Sequence, residues 1–246
     1  MSRADNTRLH PIAALRAIRA LIRDREDTRQ AFLLMDALRG KTTLRQFARF
    51  QATDVGHAVL GERRRLLDRL GDRSWLATLP AGTLGRAYHD FMEAENLSAE
   101  GLAAVSNLHT LPPDDDVTLF RERTREMHDL LHIVAGYGRD PLGEAAVAAF
   151  TYAQTGLKGF AAIALFGALR IARACPGHPV RRTVFEAYRR GRRADWLIAA
   201  DWEKLLAEPL DDVRKRFGIM PSAYYDATLA AIRAERALAI PMKAAA

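Results

Sequence analysis

One cysteine, Cys175, stands in the 246 residues. It excludes an internal disulfide and any thiolate metal cluster within one chain. Strand signals are scarce, because no run of β-branched residues alternates with polar ones. No apolar run reaches membrane-spanning length without a charge; the longest candidate, 145–169, contains Gln154, Lys158 and three glycines. The opening Met1-Ser2-Arg3-Ala4-Asp5 lacks an apolar core after its first charges, so no signal peptide is expected. No repeat at a fixed period is apparent. A nucleic-acid binder is disfavoured, since no recognition motif appears and the basic stretches lack interleaved stacking aromatics.

What is present fits a globular protein. Hydrophobic residues make up 49%, enough for one large domain or two small ones. The net charge is +7, and lysine supplies only Lys41, Lys158, Lys204, Lys215 and Lys243 of the 37 basic residues. The arginine bias and abundant alanine match a codon bias. The excess charge favours anionic partners, a membrane surface or phosphates.

Helical spacing runs along the chain. Ile12, Leu15, Ile18, Leu21 and Ile22 form one stripe; Phe32, Leu33, Met35, Ala37 and Leu38 form a second, closed by Gly40. Leu44, Phe47, Phe50 and Val55 continue the pattern, and Glu62-Arg63-Arg64-Arg65 reads as a solvated charged face. Further helices are expected after Gly82-Thr83, over 97–108 from an Ser98 cap, over 196–206, over 210–217 after Pro209, and over 224–238. The run from Ala145 to Phe150 is apolar on every side, which suits a buried helix or the wall of an apolar cavity, with a break near Gly156 and Gly159. Arg181, Arg182, Arg189, Arg190, Arg192 and Arg193 form a basic region. Its default reading is a solvated face; its functional reading is contact with headgroups or phosphates.

The most informative stretch is His128-Asp129-Leu130-Leu131-His132, eleven residues, then Glu144. His128 and His132 are an i,i+4 pair on one helical face, and Asp129 borders it. That helix is expected from about Asp116, capped among Asp114, Asp115 and Asp116, to Gly136. Asp140-Pro141 then reads as an N-cap with proline at the first helical position. His132 lies four residues before the turn and Glu144 four residues after the next helix starts, so in an antiparallel hairpin both stand roughly 6 Å from the turn. Two imidazoles and two carboxylates suit a divalent metal such as zinc, iron or manganese. The alternative is an exposed histidine pair beside solvated acids.

This motif, with the flanking Gly136, Gly138 and Gly143, resembles a family of ubiquinone (coenzyme Q) biosynthesis proteins, the fourth member of the eukaryotic COQ series and its bacterial relatives. That family carries His-Asp-x-x-His, eleven residues, then Glu. The stretch 79–88 and the residues Trp202-Glu203, Pro209-Leu210 and Val213-Arg214 also resemble it, so the likeness spans about 30–220. Glu62-Arg63-Arg64-Arg65 departs from the proline-containing stretch expected there. The resemblance implies one all-α domain over 1–246, with its core in about 10–238. It implies a divalent metal, zinc first, on His128, Asp129, His132 and Glu144, with Asp129 and Glu144 catalytic. It also implies a polyprenylated benzoate-derived lipid in an apolar cavity and loss of the carboxyl group at ring carbon 1, a lyase reaction. Implied partners are an anionic membrane surface and other ubiquinone biosynthesis enzymes, with no nucleic acid and a homodimer allowed. The form resembles a bacterial one, cytoplasmic and peripheral on the inner membrane.

Two other functions fit the same residues. One is a non-catalytic lipid-binding organiser of the ubiquinone biosynthesis complex. The other is a metal-dependent phosphohydrolase, which needs more histidines converging from elsewhere, with His57, His89 beside Asp90, and His109 as candidates.

Overall fold

Local stop and start signals divide the chain into helices. A computed structural model describes residues 8–23, 28–95 and 115–239, and these form an all-α domain. The helices are α1 (Pro11–Arg23), α2 (Thr28–Ala37), α3 (Thr42–Gln51), α4 (Asp54–Gly61), α5 (Leu66–Leu70), α6 (Arg73–Thr78), α7 (Leu84–Ala94), α8 (Asp116–Ala135), α9 (Pro141–Thr155), α10 (Lys158–Ala174), α11 (Val180–Arg193), α12 (Trp202–Leu205), α13 (Leu210–Arg216) and α14 (Tyr225–Ala239). Side-chain caps open several of them: Thr53 accepts from the Gly56 amide, Asp72 from Trp75, Thr83 from Arg86, and Asp140 from Leu142 and Gly143. The helix expected over 97–108, with Ser98, and the Asp114 cap lie outside the described residues.

The core is built on α8 and α9. Leu119, Phe120, Met127, Leu130, Leu131 and Val134 of α8 are buried, and α9 is buried on nearly every side, from Leu142 to Phe150. Helices α10 and α11 pack on α9, while α3, α5, α7 and α13 pack on α8. The two outer stretches that resemble the ubiquinone family lie against each other. The Leu84 amide donates to the Glu208 carbonyl (2.9 Å), Gly85 to Leu206 (2.7 Å), and Leu210 to Gly82 (2.8 Å). Glu203 and Arg123 of α8 form a buried two-point ion pair (2.6 and 2.8 Å).

Several sequence expectations change. In α1 the outward residues are Ile12 and Leu15, and the buried ones are Ala14 and Ala17. In α2 the buried residues are Leu34 and Ala37, while Leu33 faces outward. Ala14, Ala17 and Leu34, with Ala37, make a minor core of their own. The helix expected over 196–206 is instead a 3-10 turn, Leu197–Ala199, followed by the short α12. The Ala200 carbonyl accepts from Arg123 and the Asp201 side chain pairs with Arg64, so this stretch is tied to tertiary partners. Glu62-Arg63-Arg64-Arg65 is not simply a solvated face: Arg63 pairs with Asp116, Arg64 with Asp201 and Arg65 with Glu122.

Candidate metal centre

The site is built at the turn between α8 and α9. Gly136 ends α8 in the left-handed region, φ 72°, where glycine carries no steric penalty. Tyr137 then folds back, its amide donating to the His132 carbonyl (2.9 Å). Asp140 caps α9 and Pro141 opens it. Gly143 lies so close to the turn that an added Cβ would sit 2.0 Å from the Gly138 carbonyl oxygen. The next residue is Glu144. The Tyr225 hydroxyl of α14 ties the turn down, donating to Asp140 and accepting from the Gly138 amide (2.9 Å).

This geometry brings His128, His132 and Glu144 together, with one ligand atom from each within 4.8 Å of the others. His132 Nε2 lies 3.7 Å from Glu144 Oε2. Two metal–ligand bonds of about 2.1 Å separate ligands of one ion by up to roughly 4 Å, so side-chain adjustment suffices to share one. Asp129 is not part of this converging set; it lines the same cavity. His132 Nδ1 is 2.9 Å from the Tyr137 carbonyl, which fixes that nitrogen as the donor and leaves Nε2 for a ligand. His128 Nδ1 is buried with no hydrogen-bond partner. A buried, unsatisfied nitrogen is costly, and coordination would satisfy it. Phe91 stacks on the His132 ring and Phe160 on the His128 ring, fixing both planes.

Protonation states follow from burial and charge. Burial, then the neighbouring His132, pushes His128 down to about 4, so it is neutral at pH 7. Burial raises the Asp129 carboxyl to about 6. His132 is raised, because Glu144 outweighs the burial that opposes it, and Glu144 is correspondingly lowered against burial by His132. Two imidazoles and a carboxylate are the donor set of hydrolytic zinc centres, with a fourth position open. Among the described residues no other histidine joins the group: His57 is exposed on α4, and His89 pairs with its neighbour Asp90 at 3.3 Å. His109 lies outside them.

The centre opens on a cavity of about 690 Å³. Its apolar lining includes Leu21, Phe32, Met35, Phe160, Ile163 and Phe166, and its lining from α9 is Pro141, Leu142, Glu144, Ala145, Ala148 and Thr155. Ala149, within the run read from the sequence as a cavity wall, does not line it, and neither does Tyr152, which stacks on Tyr188.

Comparison with known proteins decides the family. The family model for the coenzyme Q (ubiquinone) biosynthesis protein Coq4 matches residues 8–223. The chain belongs to the Coq4 family. The ubiquinone biosynthesis protein coq4 of Schizosaccharomyces japonicus is 32% identical over 164 residues, covering 67% of this chain and 67% of that protein. The COQ4 homologue of Bos taurus is 30% identical over 190 residues, covering 75% and 70%. Both are described as mitochondrial. A crystal structure from Nostoc punctiforme, described as a ubiquinone biosynthesis protein, shares the fold with a TM-score of 0.65 and 24% identity, covering 89% of this chain and 99% of that one.

His128, His132 and Glu144 are thus gathered as the helix spacing predicts, with Asp129 beside them on the cavity wall. Sequence reasoning missed the residues that hold them. Arg139 lines the cavity 3.6 Å from Glu144 and 3.9 Å from Glu95. Arg214 donates to the Ile133 (2.9 Å) and Val134 (3.2 Å) carbonyls at the end of α8. Arg190, read with its neighbours as solvent-facing, is buried and reaches the same helix end. Arg181, Arg182, Arg189, Arg192 and Arg193 are exposed.

Proposed function

We propose that this Coq4-family chain removes the carboxyl group at ring carbon 1 of a polyprenylated hydroxybenzoate, with a divalent metal, zinc first, held by His128, His132 and Glu144. The observation that carries the reading is the juxtaposition of a His-His-Glu group with a largely apolar cavity. A polar aromatic head fits the first and a prenyl tail the second. When bound, the ion supplies Lewis acidity toward a phenolic or carboxylate oxygen. The chain's own groups do the rest. In decarboxylation the bond from ring carbon 1 to the carboxyl carbon breaks, CO2 leaves, and the electron pair left on the ring takes a proton. Asp129, raised to about 6 by burial, holds its proton far better than an ordinary aspartate and is the donor. Glu144, held ionised by His132, serves the metal as a ligand rather than as a proton source. Arg139, on the cavity wall, offers a cation to the substrate carboxylate.

The test is turnover of a short-chain prenylated hydroxybenzoate by purified, zinc-loaded protein, followed as CO2 release. Asp129→Asn should keep the metal and lower the rate by about 10²–10⁴-fold, the usual range for a lost general acid. Lipid and metal binding without any turnover in the wild type would instead favour the organiser.

The same reading puts the chain on an anionic membrane surface. No helix among the described residues is long and apolar enough to cross a membrane. On α11, Phe185 is 60% exposed between exposed Arg181, Arg182 and Arg189, a face that suits headgroups and their acyl boundary.

A further inference from the structure

The deepest basic residue of the 181–193 region, Arg190, reaches the end of the helix that carries His128 and His132. The last carbonyls of a helix have no intrahelical donors, and Arg190 Nη2 donates to that of Ala135 (3.0 Å). Arg190 Nη1 donates to the Tyr137 hydroxyl, and its guanidinium carbon lies 5.0 Å from the centre of the Tyr137 ring. Its Nε donates to the Met220 carbonyl (2.8 Å), so the fork is held on two sides. Tyr225 packs edge-on against the other side of this arrangement, 5.1 Å from the Tyr137 ring. Tyr137 is the residue whose backbone carbonyl receives His132 Nδ1 and whose amide donates to the His132 carbonyl. Arg190 also sits beside Gly191, where α11 presses on α9: an added Cβ at Gly191 would lie 2.6 Å from the Phe150 carbonyl oxygen. One helix thus braces both ligand-bearing helices.

We propose that Arg190 is a positioning residue that acts through Tyr137 to hold the His132 ring with Nε2 toward Glu144 and His128. The inference rests on the reading of that group as a metal centre. It assigns metal affinity to a side chain that touches no ligand, through a hydroxyl and a ring two contacts away. The partner carbonyl of a ligating histidine sets ring orientation and basicity, and loss of such a partner typically costs 10–100-fold in metal affinity. Arg190 and Tyr137 should give the low end of that range, because the carbonyl remains and only its support is removed.

The experiment titrates Co2+ into the purified full chain, stripped with chelator, and follows the ligand-field absorption. Tyr137→Phe removes one oxygen and keeps the ring; Arg190→Lys keeps the charge and loses the fork. Each should bind Co2+ about tenfold more weakly than wild type. The double variant should be no weaker than either single one, since both act along one path. Arg214→Lys, which alters the other side-chain donor at the same end of α8 without touching Tyr137, should bind within twofold of wild type. Thermal unfolding of the metal-free Tyr137→Phe chain checks that it is folded at the titration temperature. A wild type that binds no Co2+ sinks the metal reading and this one together. A wild type that binds while both single variants match it within twofold overturns the positioning role alone. So does an equal loss in Arg214→Lys, which would make the effect generic to the helix end.

Discussion

The two nitrogens of His132 have separate tasks. Nδ1 is spent on the Tyr137 carbonyl at 2.9 Å, and Nε2 faces Glu144 at 3.7 Å. His128 is different: burial keeps it neutral, and its Nδ1 has no partner. The pair therefore offers one oriented and one unsatisfied imidazole nitrogen, a better-prepared site than two solvated histidines. Purified wild type should carry close to one divalent ion per chain by elemental analysis. His132→Ala should lose it, since three ligands fall to two. The fold should survive, because the helices keep their own buried faces. Full occupancy in a His128→Ala, His132→Ala double variant would exclude the site.

At the scale of elements, the α8–α9 hairpin is the unit that makes the site, and its register depends on contact between backbone and backbone. Gly143→Ala should force the first turn of α9 away from Gly138, because the new Cβ would meet that carbonyl oxygen at 2.0 Å. A clash with backbone cannot be relieved by a rotamer change, so a loss of about 1–3 kcal/mol is expected in urea unfolding. Metal content should fall with it, as Glu144 is the adjacent residue. Unchanged stability and metal content would show that the hairpin tolerates the shift. This hairpin was legible in the sequence because its signals are local: an i,i+4 pair, a glycine stop, an Asp-Pro start. What surrounds it was not. Arg63, Arg64 and Arg65 reach carboxylates 53, 137 and 57 residues away, which no local pattern encodes. In α1 the periodicity was right and the buried face was only shifted, since Ile18 and Leu21 pack inward as read while Ile12 and Leu15 do not. Ala14 and Ala17 turn inward because α2 packs closely there, leaving Ile12 and Leu15 outside. Arg190 looked like its exposed neighbours, since a charged side chain goes inside only where tertiary acceptors wait for it, here the Tyr137 hydroxyl and the carbonyls of Ala135 and Met220.

Over the whole molecule, three features align: a metal-type group, a cavity beside it and a basic outer helix. The cavity can be tested without touching the ligands. Ala148 is buried and lines it, so Ala148→Phe should block the tail of a prenylated ligand while metal content stays at the wild-type level. Overpacking usually costs about 1–3 kcal/mol, so the variant's fold must be checked. Wild-type affinity for a prenylated ligand in a folded Ala148→Phe chain would place the tail elsewhere. The outer face calls for a different measurement. Phe185 would insert beneath the headgroups, while Arg181 and Arg189 stay above them and attract anionic lipid. Each arginine near such a surface contributes about 1 kcal/mol, so Arg181→Gln with Arg189→Gln should weaken binding to anionic vesicles by roughly 30-fold. Raising salt to 1 M, where the Debye length is about 3 Å, should do the same to wild type. Phe185→Ser should weaken binding at every salt concentration, because burial of its ring is not screened. Neither set of changes reaches the metal-type group, so metal content should be untouched in all of them. Equal wild-type binding to neutral and anionic vesicles at low salt would remove the electrostatic role of α11. Full binding by Phe185→Ser would remove the apolar one.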